Sequence, residues 1–195
     1  FTREHSELPE AQSAYVQIAR MLVERGHLNL IEETRDQAAK ASKLTDARSA
    51  FDQARTAYDK AIKRLEADYA SFPKSLPESD PRRLKRDLAY NSLLDALLQK
   101  AEVDYEQGQT YPEGSADRKK YLDSGLAQFD SLSKNYRQTL TGLTAQMWQA
   151  KCYEDQGKLD EAIGLYKELL VHNDPVLHDL RAHVGSYYIA ALAKR

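Results

Sequence analysis

The chain has a single cysteine, Cys152, so it can build neither an internal disulfide framework nor a zinc cluster held by cysteines. Its 8 glycines and 6 prolines stand between long stretches of helix-forming residues, and no succession of alternating strands with hairpin turns is found. No apolar run approaches the roughly 20 residues that span a bilayer, and no signal-peptide pattern is recognised within these residues. Direct membrane insertion is therefore not expected.

Neither sign of charge dominates the composition. Lys and Arg total 28 and Asp and Glu total 30, a net charge of -2, so no bulk field attracts nucleic acid or an anionic membrane. With 42% hydrophobic residues, the 195-residue chain can bury a core in one large domain or two small ones. Because it begins with Phe1, we expect a soluble piece of a longer protein, and no compartment is predicted.

Sequence motifs of catalysis are also missing. The chain has no G-x-S-x-G, H-E-x-x-H, P-loop, G-x-G-x-x-G or EF-hand pattern, so we expect neither an enzyme nor a bound cofactor. Cys152 lies beside Ala150 and Tyr153 on a predicted helix, which favours a small buried hydrophobe over a nucleophile.

Histidines and acidic residues cluster near the end of the chain, where His172, Asp174, His178, Asp179 and His183 fall close together. Two Asp/His pairs are four residues apart and share a helix face if a helix begins at Pro175. The two helical histidines, however, diverge around that helix. Surface pairs and a capping aspartate are favoured over a metal site, and no metal is predicted.

Four cations occupy the start of a predicted helix in the run Arg82-Arg83-Leu84-Lys85-Arg86. This placement opposes the helix dipole, which suggests an acidic or phosphate partner. The favoured interpretation is a solvated face paired with Glu78, Asp80 and Asp87.

Apolar spacing of three and four predicts an all-α chain of about eight helices. Their approximate ranges are 7–25, 29–43, 45–71, 81–107, 115–136, 141–157, 159–170 and 175 to near the end. A capping box at Asn29 and Glu32 and caps at Thr45 and Asp46 separate the first three helices. A proline-rich loop at 73–81 separates long N-terminal helices (1–72) from the remainder (82–195).

One packing pattern recurs three times: a small residue, an aromatic four positions on, and an apolar residue three further on. The first copy is Ala54, Tyr58 and Ala61, the second is Gly125, Phe129 and Leu132, and the third is Ala162, Tyr166 and Leu169. The small residue lets two helices approach closely and the aromatic fills the space one turn away. A helix pair built this way cannot cover its own apolar face, so we expect pairs to stack into a solenoid.

A second mark, an acidic residue two positions before a glycine, occurs at Gly26, Gly108 and Gly157. A glycine in this position predicts a left-handed helix end.

The stretch 145–170 resembles the tetratricopeptide repeat family, with Ala150 and Tyr153 on a first helix, Gly157 in the turn and Ala162, Tyr166 and Leu169 on a second. Trp148 stands two positions from the family's usual Trp, and Gln149 stands where Leu is usual. The resemblance divides residues 82–195 into repeats at 82–137, 141–172 and a truncated 175–195, and leaves 1–72 as a divergent repeat. It implies a right-handed superhelix of antiparallel helix pairs that binds a protein or peptide on its concave face.

In such repeats the first helices build the concave wall, which here implies Met147, Lys151 and Glu154, with His183 on the next first helix. Lys151 and His183 alone do not make a clamp for a peptide carboxylate. We therefore expect a non-catalytic interaction scaffold. The alternatives are an architectural spacer that self-associates through an open last helix, or a metal-dependent enzyme fragment. That last helix would present Val184, Tyr187, Ile189 and Leu192.

Overall fold

The structure, a computed structural model, describes the backbone of residues 9–31 and 36–195. It consists of helices and connecting turns, with no strand among these residues, which confirms the all-α prediction. The helices are α1 (Pro9–Ile31), α2 (Gln37–Ala70), α3 (Arg82–Gln109), α4 (Ala116–Asn135), α5 (Leu140–Asp155), α6 (Leu159–Leu170) and α7 (His178–Lys194), with a 3₁₀ turn at Pro175–Leu177. None of the described helices combines the length and apolar content needed to cross a bilayer.

From residue 82 onward the helices begin close to the predicted positions, and side-chain caps open α4, α5 and the 3₁₀ turn before α7. The Ser115 hydroxyl accepts a hydrogen bond from the backbone N–H of Arg118 and caps α4. The Asp174 carboxylate accepts from the N–H of Val176 and opens the 3₁₀ turn before α7. α5 starts slightly earlier than predicted, because Thr139 is its cap.

The prediction of three helices in residues 1–72 is wrong, since the described part contains two. Asn29 lies inside α1 and its partner Glu32 lies outside the described residues. Thr45 does not interrupt α2, because its hydroxyl donates to the carbonyl of Ala41 in the preceding turn. The cap of α2 is instead Asp36, which accepts from the N–H of Ala38.

The glycines that follow an acidic residue have different structural roles. Gly157 has the predicted left-handed backbone, with a φ of 75°, and ends the turn after α5. Gly26 and Gly108 lie within α1 and α3 and do not have positive φ, so for them the prediction is wrong. A Cβ at Gly26 would come within 2.7 Å of the Phe51 ring, so close approach of α1 to α2 is what this glycine permits.

The chain divides into two compact units, 1–103 and 104–195, with the division inside α3. In the first unit α1 packs along α2, and Ala54, Tyr58 and Ala61 are buried in a core shared with α3. The Tyr58 hydroxyl donates to the side-chain carbonyl of Gln99 on α3 at 2.6 Å, so the ring's polar end is satisfied inside the core.

In the second unit each helix from α4 to α7 packs on the next, and α5 also contacts α7. The last turns of α3 join this unit, because Asp104 accepts hydrogen bonds from Ser124 and Gln128 of α4. Of the predicted packing residues on α5 and its turn, Ala150 is buried, whereas Tyr153 is partly exposed and Gly157 is exposed.

The second and third copies of the packing pattern are buried in this unit. On α4, Gly125 is buried, Phe129 is fully buried and Leu132 is 5% exposed. Leu132 lies in the last turn of α4, where its carbonyl accepts the N–H of Tyr136 at the end of the helix. On α6, the buried members of the third copy are Ala162, Tyr166 and Leu169. The burial that the pattern predicts is therefore found at every position of all three copies, in both units.

Two glycines of the second unit give a matched test of packing. A Cβ on Gly142 would overlap the carbonyl oxygen of Tyr136, whereas a Cβ on Gly164 of α6 would meet nothing. We expect Gly142→Ala to lower the free energy of unfolding by about 2 kcal/mol or more, because the backbone must shift. Gly164→Ala should raise it by up to about 1 kcal/mol through helix propensity. Urea unfolding followed by circular dichroism measures both, and equal effects would contradict the described packing.

Candidate functional site

α5 lies in the middle of the second unit, and half of its residues are buried against its neighbours. Among its partly exposed side chains, one line spaced three or four residues apart defines what we call the α5 stripe. It consists of Thr144, Trp148, Lys151 and Asp155. Because three- and four-residue spacings keep side chains on one face of a helix, the stripe is one continuous surface.

Two carboxylates and two ammonium groups meet at the C-terminal end of the stripe. The Lys151 ammonium lies 3.1 Å from an Asp155 oxygen and 3.3 Å from Glu154 Oε1. The same Glu154 oxygen accepts from the Lys194 ammonium of α7 at 2.6 Å. We call these four residues the charge cluster. Its formal charge is zero, and Glu154 is the deepest member, with a side chain 2% exposed.

Neutral donors complete the coordination of both carboxylates. Asp155 Oδ2 accepts from the Tyr105 hydroxyl at 2.7 Å and from the Gln109 amide at 2.8 Å, both on α3. Glu154 Oε2 accepts from the Tyr166 hydroxyl of α6 at 3.1 Å. Burial raises the pKa of the Tyr105 and Tyr166 phenols above the ordinary value of 10.0, and the adjacent carboxylates raise both pKa values further. The phenols therefore remain donors at neutral pH.

Aromatic rings flank the stripe on the same unit. The Trp148 indole lies 5.0 Å, centroid to centroid, from the Tyr105 ring and stacks on Phe129 of α4 at 6.2 Å. The Lys151 ammonium sits 5.7 Å from the centroid of the Tyr187 ring of α7. The stripe thus combines a partly exposed indole with an internally neutralised group of charges.

A cavity of about 620 Å³ adjoins the charge cluster and lies within the size range of small-molecule sites. Most residues that line it are polar or charged, and the charged ones are Glu113, Arg118, Lys119, Glu154, Asp155, Lys158 and Lys194. Arg118 is held by the Tyr111 carbonyl and the Gln109 amide oxygen. Lys119 pairs with Asp123, and Lys158 lies over the Tyr153 ring.

The predicted partner-binding residues separate in the structure. Lys151 lies on the stripe and contacts Glu154, which is buried beneath it. Met147 is 6% exposed and packs in the apolar cluster with α6 and α7, so it does not belong to the α5 stripe. His183 is exposed on α7, four residues before Tyr187 and on the same side of that helix. A binding role for these residues stays a prediction.

Trp148 and Asp155 belong to the α5 stripe but are not among the binding residues predicted from the sequence. The predicted line runs through Met147, Lys151 and Glu154. The α5 stripe is displaced from it by one residue along the sequence, and only Lys151 belongs to both. A signal was present in the position of Trp148, two residues from the family's usual Trp. A tryptophan there shifts the aromatic surface to the stripe.

The other candidates have structural roles. Cys152 is fully buried, and burial raises the pKa of its thiol, in agreement with a packed hydrophobe. His178 contacts Asp179 at 3.2 Å on an exposed surface, and the described residues contain no group of three or more metal-ligating side chains. The cations at the start of α3 pair with acidic neighbours as predicted: Arg82 with Asp80, Arg83 with Glu78, and Arg86 with Asp87.

No protein-family model, curated protein or solved structure matches this chain. The resemblance to tetratricopeptide repeats therefore depends on the residues themselves.

The ion pair between Glu154 and Lys194 is expected to stabilise the attachment of α7. Lys194→Met leaves a carboxylate that is 2% exposed with fewer cationic partners, so we expect a loss of about 1–3 kcal/mol in the free energy of unfolding. The control is Lys119→Met, which breaks a surface pair with Asp123 and should cost less than about 1 kcal/mol. Equal losses in urea unfolding would show that the pair does not hold α7.

Stability should fall above about pH 10, where tyrosines of the unfolded chain ionise. Tyr105 and Tyr166 have raised pKa values in the folded state, so the unfolded chain loses these protons first and gains stability relative to the native state. Tyr105→Phe should make the decline shallower by about 1.4 kcal/mol per pH unit. Urea unfolding between about pH 9 and 11.5 measures the slope. Parallel slopes in the wild type and the variant would contradict the raised pKa of Tyr105.

Proposed function

We propose that this protein is a non-catalytic scaffold of the tetratricopeptide type, which binds a segment of a partner protein along the α5 stripe. The observation that carries the proposal is the stripe itself: a partly exposed tryptophan in line with the charge cluster, on a helix that packs against α4, α6 and α7. Aromatic side chains fixed by packing suit recognition, because little conformational freedom is lost when a partner docks.

Two features of the second unit support a repeat arrangement. The pairs α4–α5, α5–α6 and α6–α7 pack in chain order, and α5 also contacts α7, as successive first helices do in a helical solenoid. Gly157, with its left-handed backbone, makes the short turn between α5 and α6. In the repeat arrangement that we propose, α5 and α7 form one wall of a right-handed superhelix with the α5 stripe on its concave side.

The architectural alternative is favoured by a different observation. Ile189 and Leu192 on α7 are 69% and 43% exposed, whereas Val184 is buried and Tyr187 packs against Tyr166. A self-association surface on α7 would therefore consist of Ile189 and Leu192 rather than all four residues that sequence analysis indicated.

Site-specific photocrosslinking distinguishes these functions. A benzophenone amino acid at Thr144 reports on the stripe, and the same probe at Lys167, exposed on α6, is the matched control. In an extract of the source cells we expect a discrete adduct from position 144 and none from position 167, with the partner identified by mass spectrometry.

Equal adducts from the two positions, or none from position 144, would contradict binding at the stripe. A probe at Leu192 that captures a second copy of this chain, with no adduct at position 144, would favour the oligomerisation module instead. Circular dichroism of each labelled protein establishes that the helices are retained.

A further inference from the structure

The charge cluster is satisfied before any partner arrives. Lys151 contacts two carboxylates and its side chain is 18% exposed, and the Asp155 side chain, 12% exposed, already accepts from Tyr105, Gln109 and Lys151. Glu154 is occupied by Lys194, Lys151 and Tyr166. A charged group of a partner would have to break one of these contacts or bind beside an ion pair with no net charge.

The remaining recognition element of the stripe is apolar. Trp148 is one turn from Lys151 on the same face, and the rings of Tyr105 and Phe129 pack against its indole. A fixed, partly exposed indole gains most from a partner side chain that is itself apolar or aromatic. By contrast, a charged partner side chain loses hydration when it binds here. The neutral cluster offers no net opposite charge to compensate for that desolvation.

From these contacts we infer that the segment bound along the α5 stripe is uncharged where it meets the stripe and is anchored by an aliphatic or aromatic side chain on Trp148. This inference rests on the proposed function and names the chemistry of the partner. Because Lys151 and Lys194 balance Glu154 and Asp155, the cluster has no net charge with which to attract a charged partner segment. Lys151 is the cation of the cluster that lies on the stripe, so its removal would leave a net negative charge there.

Selection from a displayed library of short random peptides tests the inference without a known partner. We expect the wild-type protein to enrich uncharged sequences that contain an aliphatic or aromatic residue. Their Kd should change less than about threefold between about 50 and about 500 mM NaCl, because screening acts on charge recognition. Lys151→Met leaves one negative charge unbalanced, so this variant should shift the enriched peptides toward Lys and Arg. Lys167→Met, on the exposed side of α6, should retain the wild-type preference.

Enrichment of acidic or basic peptides by the wild-type protein, with a Kd that weakens about tenfold or more in the same salt range, would overturn the inference while leaving the proposed function intact. An unchanged preference in Lys151→Met would also overturn it, provided that circular dichroism shows a folded variant. Failure of all three proteins to enrich any peptide would count against the proposed function, and against the inference that depends on it.

Discussion

Burial of an aromatic ring one turn beyond a small residue is the constraint on which both units depend. Tyr58, Phe129 and Tyr166 are each at most 1% exposed, a depth that one helix pair cannot provide. Tyr58 needs α3, which supplies Gln99, whereas Tyr166 needs α5 and α7 and Phe129 stacks on Trp148. Each ring is therefore covered by a neighbouring helix outside its own motif, and the stability of one helix depends on the next.

The hydroxyl groups of two buried tyrosines, Tyr105 and Tyr166, determine the electrostatics of the site. A buried phenol needs an acceptor, and Asp155 and Glu154 serve Tyr105 and Tyr166. Buried carboxylates in turn require cations, which Lys151 and Lys194 supply. The buried phenols thus require carboxylates and the carboxylates require cations, which together form the charge cluster. The same cluster attaches the last turn of α7, because Lys194 reaches Glu154 across that contact.

Much of the fold could be predicted where local chemistry decides it. Ser115, Gly157 and Asp174 act within their own turn, so their spacing was sufficient to place helix ends. Tertiary contacts decide the first part of the chain instead. Gly26 looks like a helix end in sequence, but the Phe51 ring of α2 requires a glycine there and the helix continues. Thr45 fails as a cap for a local reason, since its hydroxyl donates to the carbonyl of Ala41 within the same helix.

The α5 stripe could not be identified from the sequence alone, because two lines of side chains about 100° apart around the helix both have helical spacing. Met147, Lys151 and Glu154 have helical spacing, and so do Trp148, Lys151 and Asp155. The positions of α6 and α7 decide which of the two lines is buried. Gln149 shows the same ambiguity at a single residue. It stands where the family usually has Leu, yet it is buried, since Asp130 and Ser133 of α4 pair with its amide. A polar residue in this sequence therefore indicates either a partner within the fold or exposure to solvent, so a candidate binding residue is identified only after its internal partners are known.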